Sequence, residues 1–363
     1  MFPRYSLLIA TGALVVAACA PSAASTGDDA LPAATVTTLP PVTTTTAPPP
    51  PATTTSTTTT IPAPIETPRG QLVIQGVGDV NLDPTFVRSF PSEGYDYAWS
   101  GLDGIFLRDD LTVVNLECSP SPDGVPWDKP WTFRCPDGHS EMAAAGVEVV
   151  TLANNHAMDF GLDAMLDGRQ RLIAEGLHPV GTGANIAEAY EPYVTEVDGW
   201  VVAVIGSGGV NPETGSWLAR EDRPGMTHGD NTESIAEAIR AADEFADVVI
   251  VTAHWGENGG TVTRPFERQQ AEAWIEAGAD GIFGHHQHVL HPLEWYEGKP
   301  IAYGLGNFVW QAYGPGRTTA IAQFVFEPDG RIGACLVPVY IERPGHPVLQ
   351  DPAAPVCAPD GGR

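Results

Sequence analysis

Residues 147–161, VEVVTLANNHAMDFG, run from an apolar, β-branched stretch directly into a polar cluster. Val147 to Leu152 has the length and composition of a buried strand. Behind it stand Asn154, Asn155 and His156, followed by Asp159 and Gly161. Consecutive polar side chains placed straight after such a strand make little sense as core. They read as a site mounted on a strand end.

The pattern recurs on both sides of this segment. Leu72 to Val77, Leu111 to Leu116, Val201 to Ile205, Val248 to Ala253 and Gly281 to Phe283 also read as buried strands. Met165 to Glu175, Ser234 to Phe245 and Phe266 to Ala277 carry helical spacing between them. Near-continuous apolar strands separated by helices predict sheets covered on both faces, hence a mixed α/β sandwich. Leu293 to Tyr303 and Thr319 to Tyr340 read as hairpins, turned at Glu297-Gly298-Lys299 and Asp329-Gly330-Arg331.

Polar clusters stand where several of these strands stop: Gly78-Asp79-Val80-Asn81, Asn115-Leu116-Glu117, Ala153-Asn154-Asn155-His156, Ala253-His254-Trp255-Gly256-Glu257 and Gly284-His285-His286-Gln287-His288. In open α/β sheets the carboxyl ends of strands face one crevice, so the clusters are expected to converge there. Gly-Asp after a strand is also an ordinary turn or cap, and a lone His254 is also an ordinary core histidine. Three imidazoles within one turn at His285, His286 and His288 rarely serve packing. Carboxylate oxygen, amide oxygen and imidazole nitrogen together suit Zn, Mn or Fe, and two such ions could clamp a phosphoryl group. His139, His178, His228 and His346 fall in loop-like contexts and read as ordinary surface residues.

With Gly304-Leu305-Gly306-Asn307-Phe308 added, these motifs resemble those of CapA, the poly-gamma-glutamate capsule-synthesis protein family, which is similar in turn to calcineurin-like metallophosphoesterases. The resemblance implies a four-layer α-β-β-α sandwich with mixed sheets and a site for two divalent ions. Carried over by position, it implies Asp79, Glu117, Asn155, His254, His286 and His288 as metal ligands, with Glu117 bridging. It implies His156 as general acid, oriented by Asp159. Asn81 stands where the superfamily has His, and His285 where it has Gly. Asn154 occupies the Gly position of Gly-Asn-His, and Glu257 lies beside Asn258, the place of a common family Glu.

The 363-residue chain carries 45 Asp+Glu against 18 Lys+Arg, a formal charge of -27, and its only lysines are Lys129 and Lys299. That balance argues against nucleic acid as a partner. It also means that an anionic substrate needs local positive charge, which metal supplies. At the N-terminus Leu7 to Ala18 forms an apolar run too short to span a bilayer. It ends in Val16-Ala17-Ala18-Cys19, which resembles a bacterial lipobox and implies cleavage before Cys19 and lipid on its sulfur. Residues 1–18 are thus expected to be a lipoprotein signal peptide, and 19–69 a disordered Pro/Thr-rich tether. The folded domain is expected over 70–343 and a tail over 344–363. The chain is then anchored to the outer face of the bacterial cell membrane by lipid alone.

Cys118, Cys135, Cys335 and Cys357 permit two disulfides in an exported protein. The pairs Cys118–Cys135 and Cys335–Cys357 are favoured because each closes a short loop. Three functions fit these expectations. One is a metal-dependent phosphoesterase-type hydrolase of an envelope metabolite. Another is assembly or export of an anionic envelope polymer, alongside membrane synthase or export components. The third is a non-catalytic surface scaffold.

Overall fold

The computed structural model describes residues 69–210, 214–352 and 356–358. The chain divides into two units, Met1–Pro62 and Ala63–Arg363, and the described residues belong to the second. The expected signal peptide, Cys19 and nearly all of the expected tether lie outside them. No helix among the described residues is long and apolar enough to cross a membrane.

In chain order the strands are β1 Leu72–Val80, β2 Leu111–Leu116, β3 Val149–Thr151, β4 His178–Val180, β5 Thr182–Gly183, β6 Tyr193–Val197, β7 Trp200–Gly208, β8 Gly225–Met226, β9 Val248–His254, β10 Gly281–His285, β11 Leu293–Tyr296, β12 Lys299–Ala302, β13 Asn307–Val309, β14 Thr318–Phe326, β15 Ile332–Arg343 and β16 His346–Leu349. The helices are α1 Phe90–Glu93, α2 His139–Ala144, α3 Leu162–Ala174, α4 Ile186–Tyr190, α5 Thr214–Trp217, α6 Thr232–Asp243 and α7 Pro265–Glu276. One mixed sheet runs β16-β15-β14-β1-β2-β3-β4, with β13 also paired to β1. The second runs β11-β12-β10-β9-β7-β6, and β5 and β8 form a small pair of their own.

The layers follow from alternation along strands that are buried on both faces. Val202 and Val204 of β7, Val248 and Ile250 of β9, and Phe283 of β10 meet Leu72, Ile74, Leu111 and Val113 between the two sheets. The alternate residues Ala203, Ile205, Val249 and Val251 face outward onto Ile235 and Ile239 of α6 and Ala271 and Trp274 of α7. On the far side of the first sheet, Val114 and Val150 pack with Met165 and Leu172 of α3. The order is therefore helices, sheet, sheet, helices, as the sandwich expectation requires.

The sheets approach closely where Phe283 stacks on Phe324 at 4.4 Å between ring centroids. Gly76 permits this, since a Cβ there would lie 2.5 Å from the Phe283 ring. Truncating a fully buried aromatic of this kind costs about 3–5 kcal/mol. Local chemistry sets the element ends. Asn231 caps α6 by accepting from the Ser234 amide, and Pro265 opens α7. The β11–β12 turn uses left-handed Glu297 and Gly298, which matches strand twist.

The domain extends past the expected end at residue 343. β16 pairs antiparallel with β15, and a Cys335–Cys357 disulfide ties the following segment to the same sheet. The short apolar pattern of His346–Leu349 was insufficient to signal a strand in the sequence. His139 is likewise no surface residue: it is buried at the start of α2, with its ring Nε2 2.9 Å from the Cys135 carbonyl.

Candidate metal centre

The carboxyl ends of β1, β2, β3, β9 and β10 deliver the polar clusters into one buried crevice. Gly78 lets the chain before β13 close over β1, where the Asp79 amide donates to the Gly306 carbonyl at 2.8 Å. Asp79 and Glu117 are fully buried, and His254 nearly so. Glu117, His254 and His286 present ligand atoms that all lie within 4.8 Å of one another, and so do Asp79, Glu117 and His288. Glu117 belongs to both groups.

Around Glu117 the ring Nε2 atoms of His254, His288 and His156 stand 3.7, 3.9 and 3.9 Å from Oε1. Neither of its carboxylate oxygens has a hydrogen-bond partner although both are buried. An unpartnered buried carboxylate is costly, so such an atom in a native site asks for a cation. Burial, then Asp79 beside it, pushes the Glu117 carboxyl well above its ordinary range. Burial and then His286 hold His254 well below its own, and burial and then His288 bring His286 to about 4. Neutral imidazole is the ligating form, and a divalent cation would make an ionised Glu117 favourable there. The donor set therefore fits Zn, Mn or Fe.

The surrounding hydrogen bonds fix these side chains. Asn115 donates to Asp79 Oδ1 at 2.8 Å, and its amide nitrogen lies 3.2 Å from His254 Nδ1. Asn154 donates to Asn115 Oδ1 at 3.0 Å and to the Leu116 carbonyl at 2.9 Å. Asn155 Oδ1 sits 2.8 Å from His254 Nε2, and Asp79 Oδ2 sits 2.9 Å from His288 Nδ1. His286 and His288 both adopt left-handed backbone, φ 91° and 57°. Two non-glycine residues held in that region on one turn mark strain kept for a purpose.

His156 stands on the rim. Its Nδ1 lies 2.7 Å from Asp159 Oδ2, and burial lowers its pKa despite that carboxylate. Asp159 also accepts from the Phe133 amide at 2.7 Å and pairs with Lys129 at 2.5 Å. The Lys129 ammonium reaches the Asn155 carbonyl as well, at 2.5 Å. One lysine thus pins the loop that carries both Asn155 and His156.

The crevice brings Asp79, Glu117, Asn155, His156, Asp159, His254, His286 and His288 together. Four other candidates serve elsewhere. Asn81 donates to the Glu117 carbonyl at 3.2 Å and accepts from the Asp83 amide at 2.9 Å, which braces a loop. Asn154 spends its amide on the scaffold described above. His285 turns toward the Val77 carbonyl at 2.9 Å. Glu257 is exposed and pairs with Arg264. Sequence reading missed Lys129 as a site residue, and its rarity in this chain was the available signal. Asn115, part of the Asn115-Leu116-Glu117 motif, joins the site through its contacts with Asp79 and His254.

A cleft of about 380 Å³ opens beside the centre, with His156 and His288 on its wall and Trp131, Phe133, Trp310 and Tyr313 around it. A larger surface groove of about 890 Å³ between α4 and α6 contains none of the metal-side residues.

Two sheets between helical layers, with acidic, amide and imidazole donors gathered at their strand ends, define a metallophosphoesterase-like α/β sandwich. Residues 73–312 match the family described as bacterial capsule synthesis protein PGA_cap, and the chain belongs to that family. It is 30% identical over 264 residues to the PGA biosynthesis protein CapA of Bacillus subtilis, covering 70% of this chain and 67% of that protein. A probable polyglutamine synthesis accessory protein of Mycobacterium tuberculosis is 36% identical over 213 residues, 55% of each chain. The capsule biosynthesis protein CapA of Bacillus anthracis is 31% identical over 202 residues, 54% of this chain and 49% of its own. The chain thus spans about half the length of two of these curated relatives.

Proposed function

We propose that this protein serves in the synthesis or export of a capsule or poly-gamma-glutamate-type envelope polymer, through a dinuclear metal site. The family and the names of its relatives support the process. The shared, unpartnered Glu117 supports two ions with one bridging carboxylate. Asp79, Glu117 and His288 would hold one ion, and Glu117, His254 and His286 the other, with Asn155 alongside. Bound ions would supply Lewis acidity and the positive charge that this acidic chain otherwise lacks.

The chain's own groups do the rest. Asp159 fixes the His156 ring so that Nε2 points at the crevice, where it can pass a proton to or from a substrate oxygen. The buried walls exclude water from that transfer. The corresponding reaction is cleavage of a phosphoester-type bond. Cys19 and the Pro/Thr-rich segment would tether the domain to the outer face of the membrane, beside the synthase or export machinery.

Turnover of an aryl phosphate by the purified full chain, abolished in His156→Ala with metal retained, is the expected result. No turnover above a no-enzyme control would remove the hydrolytic step. The word accessory in the name of the Mycobacterium tuberculosis relative favours a second reading, in which the site binds polymer without cleaving it. Metal without turnover, together with binding of poly-gamma-glutamate, would establish that reading instead.

A further inference from the structure

The cleft beside the metal centre has walls of an unusual kind for a protein that handles a polyanion. Trp131 and Tyr313 stand 67% and 71% exposed at its mouth. Two large aromatic rings exposed on one cleft offer planar apolar surface to a ligand. Deeper in, Trp310 lies against His288 at 4.6 Å between ring centroids, and Phe133 against His156 at 4.5 Å. Phe133 and Trp310 also meet each other at 5.8 Å, so the inner aromatic wall adjoins both imidazoles, with Trp131 and Tyr313 on the same cleft.

The polar lining is neutral. Asn258, Asn307 and Gln311 carry amides, and no Lys or Arg lines the cleft among the described residues. The Asn307 nitrogen is spent on the His288 and Gly316 carbonyls, and Gln311 bonds Tyr313 and the Arg88 backbone. That leaves Asn258 and the unpartnered Asn307 Oδ1 to meet a ligand. Two cations near the cleft are committed elsewhere, and Arg88, whose backbone amide donates to Gln311, does not line it. Lys129 is paired with Asp159, and Arg317 donates to the Ile341 and Glu342 carbonyls. A run of γ-linked glutamates brings one carboxylate per residue, and inside the cleft each needs a cation that this lining does not offer. A pyranose ring matches it. The C–H faces of the ring pack on aromatic planes, and its hydroxyls exchange hydrogen bonds with amides at the edge.

Resting on the metal-site reading above, we infer that the cleft takes a sugar ring bearing one anionic group, with the ring stacked at Trp131 and Tyr313 and the anion at the metal centre. The substrate class is a glycosyl phosphate rather than a polyglutamate segment. A volume of about 380 Å³ lies near the lower end for small-molecule sites, roughly 300–1,000 Å³. It has room for one or two rings inside the cleft.

Calorimetric titration of the full chain with glucose 1-phosphate, methyl glucoside and γ-linked tetraglutamate tests this. Glucose 1-phosphate is expected to bind more tightly than tetraglutamate. Trp131→Ala and Tyr313→Ala are each expected to weaken it by about tenfold or more, as for a lost aromatic anchor. Both side chains are exposed, so metal content and melting temperature should stay at wild-type values. Methyl glucoside has no anion, so its weaker binding should survive chelation and be lost in Trp131→Ala. That result, obtained with a protein that holds no metal, would sink the metal-site reading and leave the sugar cleft standing. Tighter binding of tetraglutamate, sugar affinity unchanged in both variants, or no sugar binding at millimolar concentration would overturn the inference.

Discussion

Asp159 meets His156 Nδ1 at 2.7 Å, and that contact decides which ring nitrogen faces the metal centre. The carboxylate accepts at Nδ1, so Nε2 is left toward Glu117 at 3.9 Å. Asp159 is itself held by Lys129, which also grips the loop backbone at Asn155. One ion pair therefore holds the loop position, and in the proposed function it would also set proton transfer and ligand placement.

Asp159→Asn should lower phosphoesterase turnover by about 10²–10⁴, the usual share of acid–base catalysis, with metal content unchanged. Lys129→Met should destabilise by about 3–5 kcal/mol, because it strands a buried carboxylate. Adding Asp159→Asn to Lys129→Met should restore part of that loss, since the stranded charge is then gone. Additive losses in denaturant melts would show that the pair is not coupled.

The Cys118–Cys135 disulfide closes a 17-residue separation that contains Lys129, Trp131 and Phe133. A loop of this length contributes about 3 kcal/mol in the chain-entropy picture. Replacing both cysteines with alanine should cost that much stability and also depress turnover, through a loosened Lys129. Cys335–Cys357 packs with Val73 near the start of β1, at the opposite end of that strand from Asp79. Its removal should cost stability while leaving the turnover of the folded fraction intact. Equal effects of the two removals on turnover would contradict this division.

Burial pushes half-buried Asp109 up to about 8, and Glu148 nearby up to about 7. Both bind a proton more tightly folded than unfolded. The stability they contribute is complete below about pH 4 and is lost as pH rises toward 7 and 8. Asp109→Asn should therefore raise the melting temperature at pH 8 by roughly 3 °C, the shift that about 1 kcal/mol produces in a domain of this size. At pH 4 it should change little. An equal shift at both pH values would mean that the charge is not the cause.

Much of this was legible in the sequence because long, doubly buried strands announce themselves. Val248 to Ala253 and Leu111 to Leu116 are mostly apolar, and the polar residues at their ends marked the crevice. Elements with little apolar content were not legible. β4, His178–Val180, and β16, His346–Leu349, are short, and their place comes from neighbouring strands. The site divided on a different ground. Residue type cannot say where a side chain points, so only the family resemblance separated His286 from His285, and in the fold His285 turns to the Val77 carbonyl while His286 joins Glu117 and His254. Lys129 lies far in sequence from Asp159, and only the fold brings them together.

Metal analysis of the purified full chain tests the central claim most directly. Two equivalents of transition metal are expected in the wild type. Glu117→Gln should lose metal from both positions, because both donor groups share that carboxylate. His254→Ala and His288→Ala should each weaken one position and spare the other. Less than one equivalent in the wild type, or a full complement in Glu117→Gln, would contradict a bridged two-metal centre.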